Sequence, residues 1–444
     1  MTPIHQKIGT FIPFSILKFN KNRRTEHRCS VQTTVQKDFK MKIRIVAFSI
    51  IYLSTGQLYA AAIDRSGQSI LPFLQKGNYF EAGYSVLDPN VAGKIKPDFS
   101  KGGLTTAANM ETGDIANSYA FPSAALKFQL TDHFSIGFLY DHPFGADAGY
   151  PIKDYPAYTQ GTEKSESEVV TQSLSTILGY QPNEHFNVYA GPVLQTTKGN
   201  SRLRGAGYNW IKYDMNAPET DGVGWLAGFA YSIPEIALQA AVTYRSEIDH
   251  DIDMTESVQI LNPTNPALGY VNLGTTTLES TVTTPQSVNI DLQSGIMQDT
   301  VAFANFRWVE WSKFRISPER LAQLTTQLTG KAVDLAAYSD DQYAANIGIG
   351  RKFNTHWSGS VSLGWDSGAG NPVTTLGPTE GYWSIGLGAK YAPAPNYDIS
   401  LGLKYFMLGD AKAQSGFDFG TDNYDAIYKD NDAWGYGLKI GYRF

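Results

Sequence analysis

Downstream of residue 62 the chain carries five histidines, His133, His142, His185, His250 and His356, and three of them adjoin an aspartate: Asp132, Asp141 and Asp249. An imidazole beside a carboxylate is the beginning of general-base chemistry, which also needs a nucleophile or a second acid facing the same space. No Ser–His–acid or two-carboxylate site can be assembled here, because most of these positions fall at turns or strand ends. The sequence has no His/Cys spacing suited to a metal and no phosphate-binding loop, and its single cysteine is Cys29. It points away from an enzyme and implies no metal and no cofactor.

Binding is the chemistry the remaining residues suit. Strand alternation turns Lys404, Lys439, Arg245 and Arg307 inward. A cation in a mostly apolar pocket fixes the orientation of a carboxylate head group. The same cations are structural where they pair with a carboxylate such as Glu247. Lys404 and Lys439 lie near the middle of neighbouring antiparallel strands and are expected to face each other. The connection 199–221 holds Leu203, Tyr208, Trp210, Ile211, Tyr213 and Met215, more exposed apolar residues than an outward loop needs, which marks a binding surface. In the connection 315–340, Ser317 as N-cap and Pro318 at the first helical position predict a helix. Leu321, Leu324, Leu328 and Val333 give it an apolar stripe. These two loops are expected to line a capture groove, to pack on each other, or both. Pro143, Phe144 and Gly145 close the third strand; Pro removes a ladder donor and Gly permits a bend, so the triplet either opens the wall sideways or only ends the strand.

Strands must position these residues. In the last segment Trp434, Tyr436, Leu438, Ile440, Tyr442 and Phe444 share one face, while Gly435, Gly437, Lys439, Gly441 and Arg443 share the other. Similar alternation recurs upstream, and fourteen strands are expected at about 78–87, 117–130, 134–142, 169–181, 185–198, 222–233, 236–249, 284–296, 300–314, 341–353, 356–366, 381–391, 396–409 and 434–444. Short connections (131–133, 181–184, 233–235, 297–299, 354–355, 392–395) alternate with long ones (88–116, 143–168, 199–221, 250–283, 315–340, 367–380, 410–433). Short turns at one end and long loops at the other are the pattern of an outer-membrane barrel. The expected fold class is therefore all-β, a transmembrane antiparallel barrel of about fourteen strands. Closure also leaves no unpaired backbone in lipid.

Composition agrees. The 444 residues include 26 Tyr, 23 Phe and 42 Gly. After residue 62 no apolar run approaches the ~20 residues of a spanning helix. Mean hydropathy is slightly negative, as expected when polar and apolar faces average out. The net charge of -6 comes with no basic cluster interleaved with stacking aromatics, which argues against nucleic acid. Residues 1–40 are basic and irregular; then come Met41-Lys42-Ile43-Arg44, an apolar run from Ile45 to Leu53, and Ala60-Ala61-Ala62. That is a signal peptide, with Met41 as the true start and cleavage near Ala60–Ala62. Residues 63–77 have no strand period and contain the breakers Pro72 and Gly77, and the barrel occupies 78–444.

Several segments, taken in order, resemble the FadL-type (OmpP1/FadL/TodX) outer-membrane transporters. They are Gly113-Asp114-Ile115-Ala116-Asn117-Ser118-Tyr119, Asp141-His142-Pro143-Phe144-Gly145, Pro234-Glu235-Ile236-Ala237-Leu238, Thr243-Tyr244-Arg245-Ser246, Val309-Glu310-Trp311-Ser312-Lys313-Phe314 and the terminal strand. The resemblance implies a barrel plugged by a small N-terminal hatch, here 63–77. It implies capture of a ligand between outer loops, transfer to a deeper pocket, and sideways exit through a kink in the third strand. The implied function is passive uptake of long-chain fatty acids or similar hydrophobic molecules. Uptake of aromatic or alkane hydrocarbons is one alternative, and an outer-membrane lipid hydrolase is another. Implied partners are the ligand, outer-membrane lipid and the barrel-assembly machinery reading the last strand, with the protein a monomer. The family's Asn-Pro-Ala hatch motif is missing; Leu87-Asp88-Pro89-Asn90-Val91 comes nearest.

Overall fold

The computed structural model describes residues 63–103, 107–152, 156–262 and 264–444. The leader, with Met41, Cys29 and the expected cleavage site, lies outside the described residues. Within them fourteen antiparallel strands close into a barrel. The first five are β1 (Tyr79–Asn90), β2 (Tyr119–Gln129), β3 (Phe134–Asp141), β4 (Glu166–Tyr180) and β5 (Phe186–Leu203). Next come β6 (Lys212–Ile233), β7 (Leu238–Arg245), β8 (Ser287–Met297), β9 (Thr300–Val309) and β10 (Gln342–Lys352). The last are β11 (Trp357–Asp366), β12 (Tyr382–Ala394), β13 (Tyr397–Leu408) and β14 (Asp432–Arg443). β1 pairs with β14 from Tyr79↔Arg443 to Asn90↔Asp432 and with β2 on its other edge, so the sheet closes on itself.

Alternation sets which side faces out. Trp434, Tyr436, Leu438, Ile440 and Tyr442 of β14, and Phe444 just after it, are all exposed on the outer wall, as are Trp383, Ile385 and Leu387 of β12. Their neighbours Lys404, Ser384 and Ser400 are buried inside. An apolar exterior with a polar, filled interior is the arrangement of a membrane barrel.

The outer end departs from the sequence expectation. β6 begins at Lys212, well before 222, and β5 runs to Leu203, so the connection 199–221 shrinks to 204–211. The span 250–283 is not a loop but a hairpin, Ile248–Leu261 paired with Tyr270–Thr284. It continues β7 and β8 beyond a break at Ser246–Glu247 and Pro285–Gln286. Its outward positions are Asp249, Asp251 and Asp253, facing Thr283, Thr281 and Glu279. A strand whose outward face is polar has no place in lipid, and its inward face buries Ile252, Met254 and Val258 against the cap, so its pattern is not that of a spanning strand. β9 stops at Val309, where Trp311–Lys313 forms a single 3-10 turn.

The long connections build a cap. Ala92–Ile95, Glu111–Asp114, Val373–Thr374, Ala411–Gln414 and Ala426–Tyr428 make a small sheet. The one α-helix of the described residues, α1 (Glu319–Thr329), lies where the sequence places it, but Ser317 does not cap it. Ser317 Oγ bonds Asp334, while the Glu256 carboxylate, reaching from the hairpin, accepts from the N–H groups of Arg320 and Leu321, both at 2.9 Å. A carboxylate at a helix N-terminus meets both the orphan donors and the positive dipole end. Leu321 and Leu324 are buried, but Leu328 is 59% exposed and leaves the stripe.

The segment Ile63–Asn78 crosses the inside of the barrel. Ile70 and Phe73 are fully buried in a cluster with Ala125, Leu139, Ile177 and Tyr189 from the surrounding strands. The Phe73 ring fills the space beside Gly137 of β3; a Cβ there would lie well inside van der Waals contact. Luminal side chains satisfy its backbone, as burial requires: Lys127 donates to Gln75 O, Asn289 to Gly67 O at 2.7 Å and Arg245 to Gln68 O at 3.0 Å.

Candidate functional site

The wall is interrupted at the third strand. β2 and β3 pair from Gln129↔Ser135 to Ala124↔Tyr140 and no further. Beyond that point β2 residues Tyr119–Ser123 keep β1 as a partner but have none in β3. On the other side, β3 follows β4 to Asp141↔Ser173, and pairing resumes at Gly145↔Val170 in the short strand Gly145–Gly149. His142, Pro143 and Phe144 thus oppose only Gln172 and Thr171. One extra residue in one strand is a bulge, which bends the strand and breaks the ladder locally. Thr171 holds the bulge, taking a bond from Phe144 N at 2.9 Å and donating to Phe144 O at 2.8 Å.

The N-terminal segment docks against the inner side of this bulge. Arg65 N donates to Pro143 O and Gly145 N donates to Ile63 O, both at 2.8 Å. On the opposite wall Asp64 meets Arg307 of β9 at 2.7 Å, with both side chains fully buried. Arg307 also donates to Asn289 at 2.8 Å and Gln68 at 3.1 Å. The segment is therefore a crossbeam between the bulge and the β8–β9 wall. Between its two docking points the Arg65 guanidinium lies over the Tyr119 ring, 3.7 Å from the centroid. It presses on Gly145, where a Cβ would lie 2.6 Å from Cζ.

Two cavities lie on either side of the crossbeam. The apolar lining of the upper one includes Ile63, Leu87, Ile115, Phe314, Leu335 and Leu376. The lower one is lined by Ser66, Ser69, Phe121, Asp141, Arg245 and Lys439 among others. Pro122, Ala124, Tyr140 and His142 also line it, so it reaches the wall where β2 and β3 part. The two are adjacent: Ser85 and Phe121, paired across β1 and β2, line the lower, while the next inward pair, Leu87 and Tyr119, lines the upper. Tyr338, from the cap, lines the upper cavity, and burial raises its hydroxyl well above the usual tyrosine range. Beside the cap Glu380 is pushed up to about 8, first by burial and then by the fields of Asp366 and Asp340, against a bond from Gly370 N.

The expected site residues fall in different places. Arg245 and Lys439 both line the lower cavity. Lys439 sits 3.4 Å from Glu81, and Arg245 donates to Ser175 at 3.3 Å. Arg307 is engaged by Asp64, on the crossbeam. Lys404 and Lys439 do not face each other: Lys404 pairs with Gly435 and Lys439 with Ser400, because the register brings β14 further along than mid-strand counting suggests. Lys404 instead lies over the Phe406 and Tyr382 rings, at 5.0 and 5.7 Å. Glu247 holds none of these luminal cations; it sits at the break before the hairpin, on the exposed side.

The loop tyrosines are inside the cap and not on its surface, while Trp210 is half-buried at its edge. Tyr208 and Tyr213 are buried. Tyr208 Oη meets Thr375 Oγ1 at 2.7 Å, and Tyr213 Oη donates to Glu256 at 2.9 Å. Trp210 donates to Gly102 O at 2.6 Å, and Ile211 with Tyr208 packs on Leu321, Val333 and Leu335 around a cleft of about 320 Å³. The loops do pack on each other. Arg65 and Asp64 escape sequence reading; their only signal is charge within an aperiodic apolar stretch.

Fold and cavities together define an outer-membrane barrel transporter of hydrophobic molecules. A family model, the outer membrane protein transport protein family (OMPP1/FadL/TodX), matches residues 69–444, and the chain belongs to this family. Among solved structures it resembles a FadL homologue of Pseudomonas aeruginosa, with a TM-score of 0.64 and 13% identity over 88% of this chain and 98% of that one. The toluene transporter TodX of P. putida gives 0.59 and 13% identity, covering 84% and 92%. The toluene transporter TbuX of Ralstonia pickettii gives 0.53 and 14%, covering 88% and 97%. No curated protein sequence matches the chain significantly.

Proposed function

We propose that this protein admits long-chain fatty acids or similar amphipathic hydrophobes passively. The ligand enters the upper cavity beneath the cap, passes the hatch formed by residues 63–77, and leaves sideways through the gap at Pro143, Phe144 and Gly145. The observation that carries this reading is the adjacency of the cavities: the apolar one lies under the cap, and the next inward residue pair opens the one that reaches the break between β2 and β3. No bond is made or broken. Each methylene taken from water into an apolar lining contributes ~0.8 kcal/mol, so affinity grows with chain length. The lower cavity, with Arg245 and Lys439, suits a polar head group during exit. The apolar lining of the upper cavity also suits neutral hydrocarbons, the ligands named for the toluene transporters it resembles.

The test is uptake of radiolabelled oleate and of toluene by a Gram-negative host that lacks its own fatty acid transporter and expresses this protein. Oleate uptake above the empty-vector rate supports the reading. Toluene uptake alone moves the substrate to hydrocarbons, and hydrolysis of phospholipid by the purified protein would replace transport with catalysis.

A further inference from the structure

The Arg65 side chain is 4% exposed, and its Nε and Nη2 have no hydrogen-bond partner. A buried donor without an acceptor is costly, and a buried charged one more so. The Tyr119 side chain is close enough to act on the guanidinium, but it leaves Nε and Nη2 unmet. The guanidinium face is taken by the Tyr119 ring on one side and by Gly145 on the other. Asp147 and Glu168 are the carboxylates whose fields reach it, but they accept from Asn117 at 2.7 Å and Asn200 at 3.3 Å. Nε–H and Nη2–H are parallel donors on one edge of the guanidinium fork, and two parallel donors match the two oxygens of a carboxylate.

Position adds to chemistry. Arg65 belongs to the crossbeam that divides the cavities. Its neighbours Ile63, Tyr119 and Gly145 line the upper cavity, and Ser66 and His142 line the lower. Arg65 itself is walled between residues that line the two cavities, so it sits in the partition between them.

We infer that Arg65 is a specificity-determining residue, a head-group filter whose open Nε/Nη2 edge receives the carboxylate of an amphipathic ligand at the crossing between the cavities. The inference rests on the transport reading above and narrows its substrate class to hydrophobic acids. A neutral hydrocarbon or alcohol cannot satisfy the donor pair as an ion does, and so the filter favours the acid.

The test uses the whole protein in a neutral detergent at pH 8, titrated with dodecanoate and with dodecanol. Wild type is expected to bind dodecanoate about tenfold or more tightly, the scale of a charge-assisted pair. Arg65→Met is expected to bring dodecanoate down to the dodecanol level and to leave dodecanol within about twofold, while Arg65→Lys keeps part of the preference. Folding of each variant is read from heat-modifiable gel migration, and equal binding of acid and alcohol by wild type overturns the filter even if a variant does not fold. Equal binding of acid and alcohol by wild type overturns the filter and leaves transport standing, as does a preference that persists in Arg65→Met. Binding of neither ligand by wild type overturns the filter and the transport reading together.

Discussion

Asp64 and Arg307 lie 243 residues apart in sequence and meet at 2.7 Å with neither side chain reaching solvent. A strand residue and a crossbeam residue are thereby tied inside the lumen, out of reach of solvent. Removing one member strands the other as a buried charge, which costs roughly 3–5 kcal/mol. Arg307→Met is expected to unseat residues 63–75 while the barrel stays closed by its own ladder. Faster amide exchange in that segment and a raised conductance in planar bilayers are the readouts. Asp64→Asn combined with Arg307→Met is expected to recover much of the protection, since the cost lies in the unpaired charge.

The bulge and the crossbeam share Gly145. A β-branched side chain there collides with the Arg65 guanidinium, because even a Cβ falls 2.6 Å from Cζ. Gly145→Val is expected to push Arg65 off Tyr119 and cut ligand uptake about tenfold or more, while folding remains normal by heat-modifiable migration. Undiminished uptake would place the gap elsewhere.

The cap depends on a carboxylate borrowed from a distant strand. Glu256 accepts from Arg320 N, Leu321 N and Tyr213 Oη, each at 2.9 Å. Glu256→Ala leaves these three donors unmet, two of them buried, and is expected to destabilise α1 and its surroundings by roughly 1–3 kcal/mol. Limited proteolysis between residues 315 and 340 measures it, with faster cleavage expected.

Glu380 gives the cap a pH response. Its carboxyl is raised from 4.5 to about 8 in the folded protein, chiefly by burial, so folding favours the neutral form. The sign follows from linkage: its stabilising contribution is complete below about pH 4.5 and is lost as pH rises through about 8. Protease sensitivity of residues 367–381 is expected to rise between about pH 4.5 and 8 in wild type, and Glu380→Gln is expected to flatten that rise.

The barrel was legible in the sequence because a spanning strand writes its two faces alternately, as Trp434 to Phe444 do, and because turn lengths alternate. The cap was not. The residues Asp249, Asp251 and Asp253 hide a strand by making its outer face polar, and Tyr208 looks exposed until Thr375 and Leu321 are brought beside it. Contacts of that range have no local pattern. The same holds for the cations: alternation turns Lys404 and Lys439 inward, but only register decides that they pair with Gly435 and Ser400. The bulge was half legible. Pro143 and Gly145 announce a bend, while the one-residue surplus against Thr171 and Gln172 depends on β4. Ile63–Gly77 has no period because it is held by side chains of several strands, with no ladder of its own, and so Asp64 and Arg65 carried no visible assignment.

The central claim is that ligand leaves through the wall between β2 and β3. Extending their register past Ala124↔Tyr140 brings Pro122 opposite His142, and both line the lower cavity. Pro122→Cys with His142→Cys allows the gap to be strapped by a disulfide, and the only native cysteine is Cys29. Oleate uptake is measured in cells expressing this double variant, oxidised and then reduced, with cross-linking scored by mass spectrometry. The account predicts that uptake stops when the strap is closed and returns on reduction. Uptake at the same rate through a fully cross-linked barrel would contradict it.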